Sequence, residues 1–279
     1  DEGFNNDPTK ELNIPVMLEM LDLPYTGASS FCLAYCYDKS LVKSIAREMR
    51  IPIVDGFLIN SGNMQIPDIT FPVIIKPNFG DGSFGITQDS IIYNIEELHS
   101  AISQMRKKFN YHRSVLVEKF IDEKDLGIGI IGNSLSYRVL PITEEDYSAL
   151  PLDLPRICGY ESKWDPNSPY YKIKTIPARI PEETRRSIEE HSLKLFERLE
   201  CRDYARFDWK LDKDGNPYLL EVNPNPGWCW DGHLAKMSAF AGISYPQMLG
   251  LILTAAEQRY ELHSNGKKEH DLSVVAASQ

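Results

Sequence analysis

Between residues 203 and 223 the chain carries two strand-like runs, 203–211 and 217–223, separated by Lys213-Asp214-Gly215-Asn216. Asp-Gly at the centre of such a link favours a two-residue type I′ turn. That turn pairs Lys213 with Asn216. Counting back along the ribbon sets Asp208 opposite Glu221 and Arg206 opposite Asn223. Strand alternation places Tyr204, Arg206, Asp208 and Lys210 on one face. Like charges directly opposed destabilise a strand pair, so the ribbon calls for a positive group between its two carboxylates. The oxygen cluster of Asp208, Glu221 and Asn223 suits Mg²⁺, which takes one or two carboxylates together with phosphates and waters. A solvated strand face is the competing reading, because a slip of one residue would turn the set over.

A second informative segment lies upstream. The apolar run 71–76 (F-P-V-I-I-K) reads as a buried strand ending at Pro77, and F-G-D-G-S-F-G follows at 79–85. Glycines let backbone N–H groups approach phosphate oxygens closely. The loop matches neither G-x-x-x-x-G-K-[ST] nor G-x-G-x-x-G, so alone it also reads as a flexible turn. Lys76, at the end of an apolar strand, needs an anionic partner, and phosphate would serve.

Around these segments the pattern mixes strands and helices without strict β-α alternation, which indicates α+β layers. Helices are expected over 13–23, after a cap at Asp38, after an Asn94/Glu97 capping box, from Pro181, and near 244–259. Strands are expected over 114–121, 126–131 and 134–140, the last two joined at Gly132-Asn133. Residues 142–171 read as a long loop, and the polar stretch from 264 as a mobile tail. Asp and Glu outnumber Lys and Arg by 40 to 30, which argues against broad contact with nucleic acid or an anionic membrane. No apolar run reaches the ~18 residues that would span a bilayer. Five cysteines are too few for a disulfide scaffold and read as buried thiols in a reducing, cytoplasmic setting. Cys32 and Cys36 suit one helix face. Cys229 and His233 share a spacing of four, but no second pair completes a zinc pattern.

Six stretches occur together in a familiar order: L-E-M-L-D-L-P-Y-T-G (18–27), Asp38-Lys39, V-I-I-K-P with its glycine loop (73–85), V-E-K-F-I (117–121), G-Y-E-S-K-W (159–164), and Y-A-R-F-D-W-K-L through E-V-N-P-N-P-G (204–227). With them the chain resembles the ATP-grasp superfamily, and within it the D-alanine–D-alanine ligase-like branch. The resemblance implies an ATP-grasp fold of two α+β subdomains gripping ATP, after a truncated N-terminal subdomain. The corresponding division is 1–36, 37–116 and 117–263, with 264–279 as a flexible tail. It implies that Lys39, Lys76 and Lys163 contact phosphates, and that Gly80, Gly82, Ser83, Phe84 and Gly85 close over them. Glu118, Lys119, Phe120 and Ile121 would form an adenine hinge through backbone groups, with Asp125 on the ribose. Asp208, Glu221 and Asn223 would hold Mg²⁺, and Arg206 would stabilise charge at the reacting centre.

The implied reaction joins a small-molecule carboxylate and an amine through an acyl phosphate, with ATP and Mg²⁺, in a protein that this family often assembles as a homodimer. The segment G-W-C-W-D-G-H-L (227–234) departs from the small hydroxyl residue and leucine of the D-alanine ligases. Gly227, Trp230, Asp231 and His233 are therefore the candidate substrate residues, with Trp228 and Trp230 reading equally as packing residues. Three other activities stay open on the sequence: an imine-forming ligase of the mycosporine type, an enzyme modifying a peptide or protein terminus, and a nucleotide-binding module without turnover. The last has little use for so complete a set of lysines, arginine and acids.

Overall fold

A computed structural model describes residues 10–60, 66–80, 85–108, 111–134 and 136–276, with 262–276 by backbone alone. Three helices open it: α1 (Asn13–Met20), α2 (Ser30–Tyr37) and α3 (Lys39–Glu48). The Ser29 hydroxyl caps α2, accepting from Cys32 N–H at 3.1 Å. The Asp38 carboxylate caps α3, accepting from Leu41 N–H at 3.0 Å. Each cap satisfies a donor that the first helical turn leaves without a partner.

The first sheet has four antiparallel strands: β1 (Gly56–Ile59), β2 (Val73–Pro77), β3 (Ile91–Ile92) and β4 (Val115–Lys119), in the order β1-β4-β2-β3. One face is covered by α4 (Ile95–Lys108), which packs Leu98, Ile102 and Met105 on Val73, Ile75, Val115 and Val117. The capping box predicted at its start is present: Glu97 N–H donates to Asn94 Oδ1 at 2.9 Å, and Asn94 Nδ2 donates to Glu97 Oε1 at 2.6 Å. Alternation then turns Ile74, Lys76 and Glu118 to the opposite face. β4 straddles the expected subdomain boundary at 116/117 and pairs wholly within this sheet.

The second sheet comprises β5 (Asp125–Ile131), β6 (Arg138–Val139), β7 (Thr143–Asp146), β8 (Lys174–Pro177), β9 (Tyr204–Leu211) and β10 (Pro217–Asn223). Its order is β10-β9-β5-β7-β8, with β6 also on β5. Ala205, Phe207, Trp209 and Leu211 of β9 meet Ile188, Leu195 and Phe196 from α6 (Glu182–Arg198), and Leu199 at its C-cap, in the largest core cluster. Ser192, apparently misplaced on that apolar helix face, accepts from the Trp209 indole N–H at 3.1 Å. The partners of these residues along β9, Arg206, Asp208 and Lys210, face the other way, toward β2 and β4.

Four sequence expectations need correction. The Asp-Gly link is not a two-residue turn. Leu211 pairs with Pro217, and Asp212 N–H and Gly215 N–H close a longer loop on Asn216 O and Asp212 O. Gly215 sits at φ +83°, as a three-residue hairpin loop with a left-handed residue requires. The register at the carboxylates is nevertheless the predicted one, because a bulge between Leu219 and Glu221 restores it: Glu221 lies opposite Asp208 and Asn223 opposite Arg206. Second, β5 and β6 pair Ile131 with Arg138 rather than with a residue next to Gly132-Asn133. Asn133 instead spends its side chain on Asp203 and the Ala255 carbonyl, both at 2.9 Å. Third, the stretch 142–171 is not all loop. It contains β7 and the short helix α5 (Glu161–Trp164). Fourth, a helix not foreseen, α7 (His233–Phe240), precedes α8 (Tyr245–Ala276). α8 continues by backbone through most of the stretch expected as a tail. α7 lies close on β5 because Gly127 and Gly129 lack side chains. A Cβ on either would come within 2.8 Å of Met237 or Leu234. Among the described residues no single helix is long and apolar enough to cross a membrane.

Candidate active site

The two sheets enclose a cleft with about 1060 Å³ of space free of protein atoms, part of it open to solvent. Its walls bring together Lys76, Glu118, Lys119, Phe120, Ile121, Asp125, Lys163, Arg206, Asp208, Glu221 and His233, all expected from the sequence. A small adjoining cavity adds Lys39, Gly80 and Asn223. Gly82, Ser83 and Phe84 lie outside the described residues. Gly85 follows them at φ +72°.

Lys39 is placed by a short chain of hydrogen bonds at the end of β2. Its N–H donates to the Asn78 carbonyl at 3.1 Å, and Ser40 N–H donates to the Asn78 side chain at 2.9 Å. Asn78 Nδ2 donates in turn to the capping carboxylate of Asp38 at 2.8 Å. The Lys39 ammonium then contacts the Gly80 carbonyl and stands 3.3 Å from Glu221. Burial raises the Glu221 pKa, but Lys39, Lys76, Arg206 and Lys163 outweigh it and hold the carboxyl down to about 2. Four positive groups thus converge on one acid.

On β9, Arg206 grips Asp208 with two bonds, Nε to Oδ1 at 2.7 Å and a terminal nitrogen to Oδ2 at 2.9 Å. Asn223 Nδ2 adds a third bond to Oδ2 at 2.9 Å. Burial depresses the Arg206 pKa and the Asp208 charge more than restores it. The acid pair is therefore offset within the protein by Arg206 and Lys39. Its donors, two carboxylates and an amide on neighbouring strands, are hard oxygens of the kind Mg²⁺ selects, which fits a magnesium site.

Two residues expected at the nucleoside, one in the hinge and one on the ribose, do other work with their side chains. Glu118 is buried between Lys43 and Lys76, 2.5 Å from the Lys43 ammonium and in contact with that of Lys76. Burial raises its pKa, but the two lysines bring it below the usual carboxylate range. Asp125, expected toward a ribose, accepts from Lys210 Nζ at 2.8 Å and from the Tyr147 hydroxyl. Lys210 also donates to the Arg156 carbonyl at 3.0 Å, fastening the long segment after β7 to the sheet. That segment reaches the end of the glycine loop. Tyr160 N–H donates to Ile86 O at 2.8 Å, which ties the start of the helix turn carrying Lys163 to the residue after Gly85.

Of the candidate substrate residues, His233 enters the cleft, with Nε2 3.1 Å from Glu145 Oε1. Burial raises the Glu145 pKa, and His233 and the Thr175 hydroxyl more than reverse it. Gly227 borders a separate groove with Tyr25, Tyr204, Asn225 and Trp228. Trp230 is 76% exposed and Asp231 is exposed, and neither lines the cleft. Trp228 is the packing residue, its ring edge-on to Tyr204 at 5.5 Å.

A sequence profile described as "D-ala D-ala ligase C-terminus" matches residues 60–254. The chain belongs to that family. Among its curated relatives, D-alanine--D-alanine ligase A of Bacillus cereus is 31% identical over 85% of this chain and 73% of its own length. Vancomycin B-type resistance protein VanB of Enterococcus faecalis is 31% identical over 87% of this chain and 68% of its own. The D-alanine--D-alanine ligase of Bacillus anthracis, solved in complex with ATP, superposes with a TM-score of 0.68 at 26% identity, covering 90% of this chain and 76% of that one. A ligase structure from Coxiella burnetii, 18% identical with a TM-score of 0.69, shares the fold. Like its family, the chain is an ATP-dependent, ADP-forming C–N ligase of α+β ATP-grasp fold that works with ATP and Mg²⁺. Membership rules out the reading as a binding module without turnover.

Sequence reasoning missed Lys43, Glu145 and Lys210. Lys210 was placed on the right face but given no role. Lys43 sits four residues after Lys39 on α3, a helical spacing that carries both ammonium groups to one side.

Proposed function

We propose that this family member joins the carboxylate of one small molecule, amino-acid-like in kind, to the amine of another through an acyl phosphate. The convergence of Lys39, Lys76 and Arg206 on the Asp208/Glu221 pair, with Lys163 at the cleft wall, is the observation that carries the proposal. A carboxylate attacking a phosphoryl group brings two anions together, and fixed positive groups around the reacting oxygens lower that barrier. Lys39, Lys76 and Lys163 would bind and orient the phosphates. Arg206, on the ribbon beside Asp208, would stabilise negative charge on the oxygens of the reacting centre. Asp208, Glu221 and Asn223 would hold Mg²⁺, which supplies charge neutralisation at the phosphate oxygens. His233, held by Glu145, would face the amine-bearing substrate.

The same reading places a central nucleotide-binding unit over 37–116 and a C-terminal unit over 117–263. It includes a cytoplasmic setting, small-molecule partners without nucleic acid or membrane, and a homodimer. The relatives' names make D-alanine the first substrate to try.

The test is Mg-dependent ADP release with acids and amines supplied singly and in pairs, with products identified by mass. Release that requires both partners supports the proposal. Release that ignores the amine refutes it. Glu221→Gln removes a metal-binding charge and is expected to abolish turnover while nucleotide binding stays measurable. Parental rates in that variant would remove the metal assignment.

A further inference from the structure

Three of the five cysteines meet in the largest core cluster, away from the cleft walls. Cys32 and Cys36 are one turn apart on α2, and Cys201 comes from the short link between α6 and β9. All three are buried. The Cys32 and Cys201 sulfurs are 3.7 Å apart, and all three sulfurs lie within 4.8 Å of one another. Among the described residues this is the one group of three or more potential ligating side chains gathered so closely.

We propose that Cys32, Cys36 and Cys201 form a three-sulfur site for a single soft d¹⁰ ion, with Cu⁺ as the fitting occupant. A metal–sulfur distance of about 2.3 Å sets the sulfurs of a trigonal ion about 4.0 Å apart. The Cys32–Cys201 pair at 3.7 Å opens slightly to reach that spacing, and no other pair of the trio lies beyond 4.8 Å. Thiolates select Cu⁺ and Zn²⁺ over magnesium or calcium. Structural zinc sites use four protein ligands, and among the described residues no fourth His, Cys, Asp or Glu joins this group. A three-coordinate monovalent ion therefore matches the donor set better.

Two neighbours support the assignment. Arg202 follows Cys201, and its charge acts on the Cys32 sulfur. Its guanidinium is fixed by Gly27 O at 2.7 Å and by the Tyr25 ring at 4.7 Å. That positive charge, which Glu19 also approaches at 3.8 Å, lies on the side of the trio where negative charge would gather. Cys36 also borders the small cavity that holds Lys39, Glu221 and Asn223, which provides a path from solvent. An ion bound here would tie α2, and with it the start of α3 at Lys39, to the beginning of β9, two strand residues before Arg206.

The experiment uses the full chain with Cys158→Ser and Cys229→Ser, so that only the trio remains as thiol. Under nitrogen with ascorbate, Cu⁺ is titrated against a coloured Cu⁺ chelator, and Zn²⁺ is titrated separately against a zinc indicator. One equivalent of Cu⁺ is expected. Loss of an outer partner weakens metal sites by about 10–100-fold, so loss of a ligand in Cys36→Ser or Cys201→Ser is expected to cost at least about 100-fold in affinity. X-ray absorption on the loaded parent chain needs no further variant and is expected to show three sulfurs at about 2.3 Å. One equivalent of Zn²⁺ on the same three sulfurs also supports the site. No stoichiometric binding of either ion, oxygen or nitrogen ligands in the absorption spectrum, or unchanged affinity in folded Cys36→Ser and Cys201→Ser overturns it. So does isolation of the chain, under the same reducing conditions, with Cys32 and Cys201 already joined as a disulfide.

Discussion

Replacing Glu118 by Gln tests how the lysines of the cleft are kept charged. Glu118 is 1% exposed, and it faces Lys43 and Lys76, whose own exposure is 5% and 7%. The substitution keeps the shape of the side chain and removes the one negative charge that, among the described residues, forms an ion pair with Lys43. Breaking a buried pair by removing one partner costs about 3–5 kcal/mol, because the remaining charge is left uncompensated. With a urea slope of about 3 kcal/mol/M, the upper end of the small-protein range because the slope grows with chain length, the unfolding midpoint should fall by about 1–2 M. The pH dependence separates this cause from simple loss of packing. Burial lowers the Lys43 pKa, the Glu118 charge raises it, and the like charge of Lys76 lowers it again. Without Glu118 the folded-state pKa of Lys43 drops further below its unfolded value of about 10.4. Between those two values the unfolded chain binds more protons, so stability rises with pH. The deficit of Glu118→Gln relative to the parent should therefore be largest near neutrality and shrink toward pH 10. Urea unfolding at several pH values measures it. A deficit under about 0.5 kcal/mol, the range of ordinary surface substitutions, or one that stays constant with pH, refutes the reasoning.

Three further outcomes are expected. Gly215→Ala should cost about 1–2 kcal/mol in urea unfolding, the penalty of a left-handed backbone for a residue with Cβ, because nothing lies within 4 Å of the added carbon to complicate the reading; a neutral result would argue against the three-residue loop. Asp203→Asn keeps the φ of +65° that Asn tolerates, yet it removes the charge that Arg259 contacts through two nitrogens at 2.8 and 3.0 Å and weakens acceptance from Gly27 N–H. A loss of about 3–5 kcal/mol is expected, and a thermal midpoint equal to the parent's would contradict it. His233→Ala should raise KM for the amine-bearing substrate and leave nucleotide affinity near the parent value, as read by steady-state kinetics and calorimetry; equal weakening of both would place His233 outside the substrate pocket.

Much of the fold was legible because alternation and caps are local. Phe207 and Trp209 against Asp208 and Lys210 assign their faces from a period of two with no knowledge of what covers them. Asp38 and Asn94 announce helices through side chains that reach only three residues. The misses arise where a residue has a choice that distant chain decides. Asn133 looked like a turn residue, yet Asp203 and the Ala255 carbonyl take its side chain and leave a longer link to β6. β7 was hidden because Thr143 to Asp146 is polar, and it is held by β5 and β8 on either side.

The carboxylate register shows how a correct site can come from an incomplete local argument. The assumed two-residue turn would have put Leu211 opposite Tyr218, whereas Leu211 pairs with Pro217. Had the ribbon stayed regular from there, Asp208 would face Leu220, and Glu221 would point to the wrong side. The bulge between Leu219 and Glu221 absorbs the extra residue and brings the acids back into opposition. Such a bulge interrupts strand pairing, and it sits where the side chains are re-aimed. The sequence around it, Leu219-Leu220, carries no turn residue to mark it. Its neighbours supply the reason: Leu219 lies 0% exposed in the core and its carbonyl accepts from Lys43 at 3.2 Å, while Glu221 must reach Lys39. The core contact on one side and the charge contact on the other fix two side chains whose spacing a regular strand would not satisfy, and the backbone yields between them.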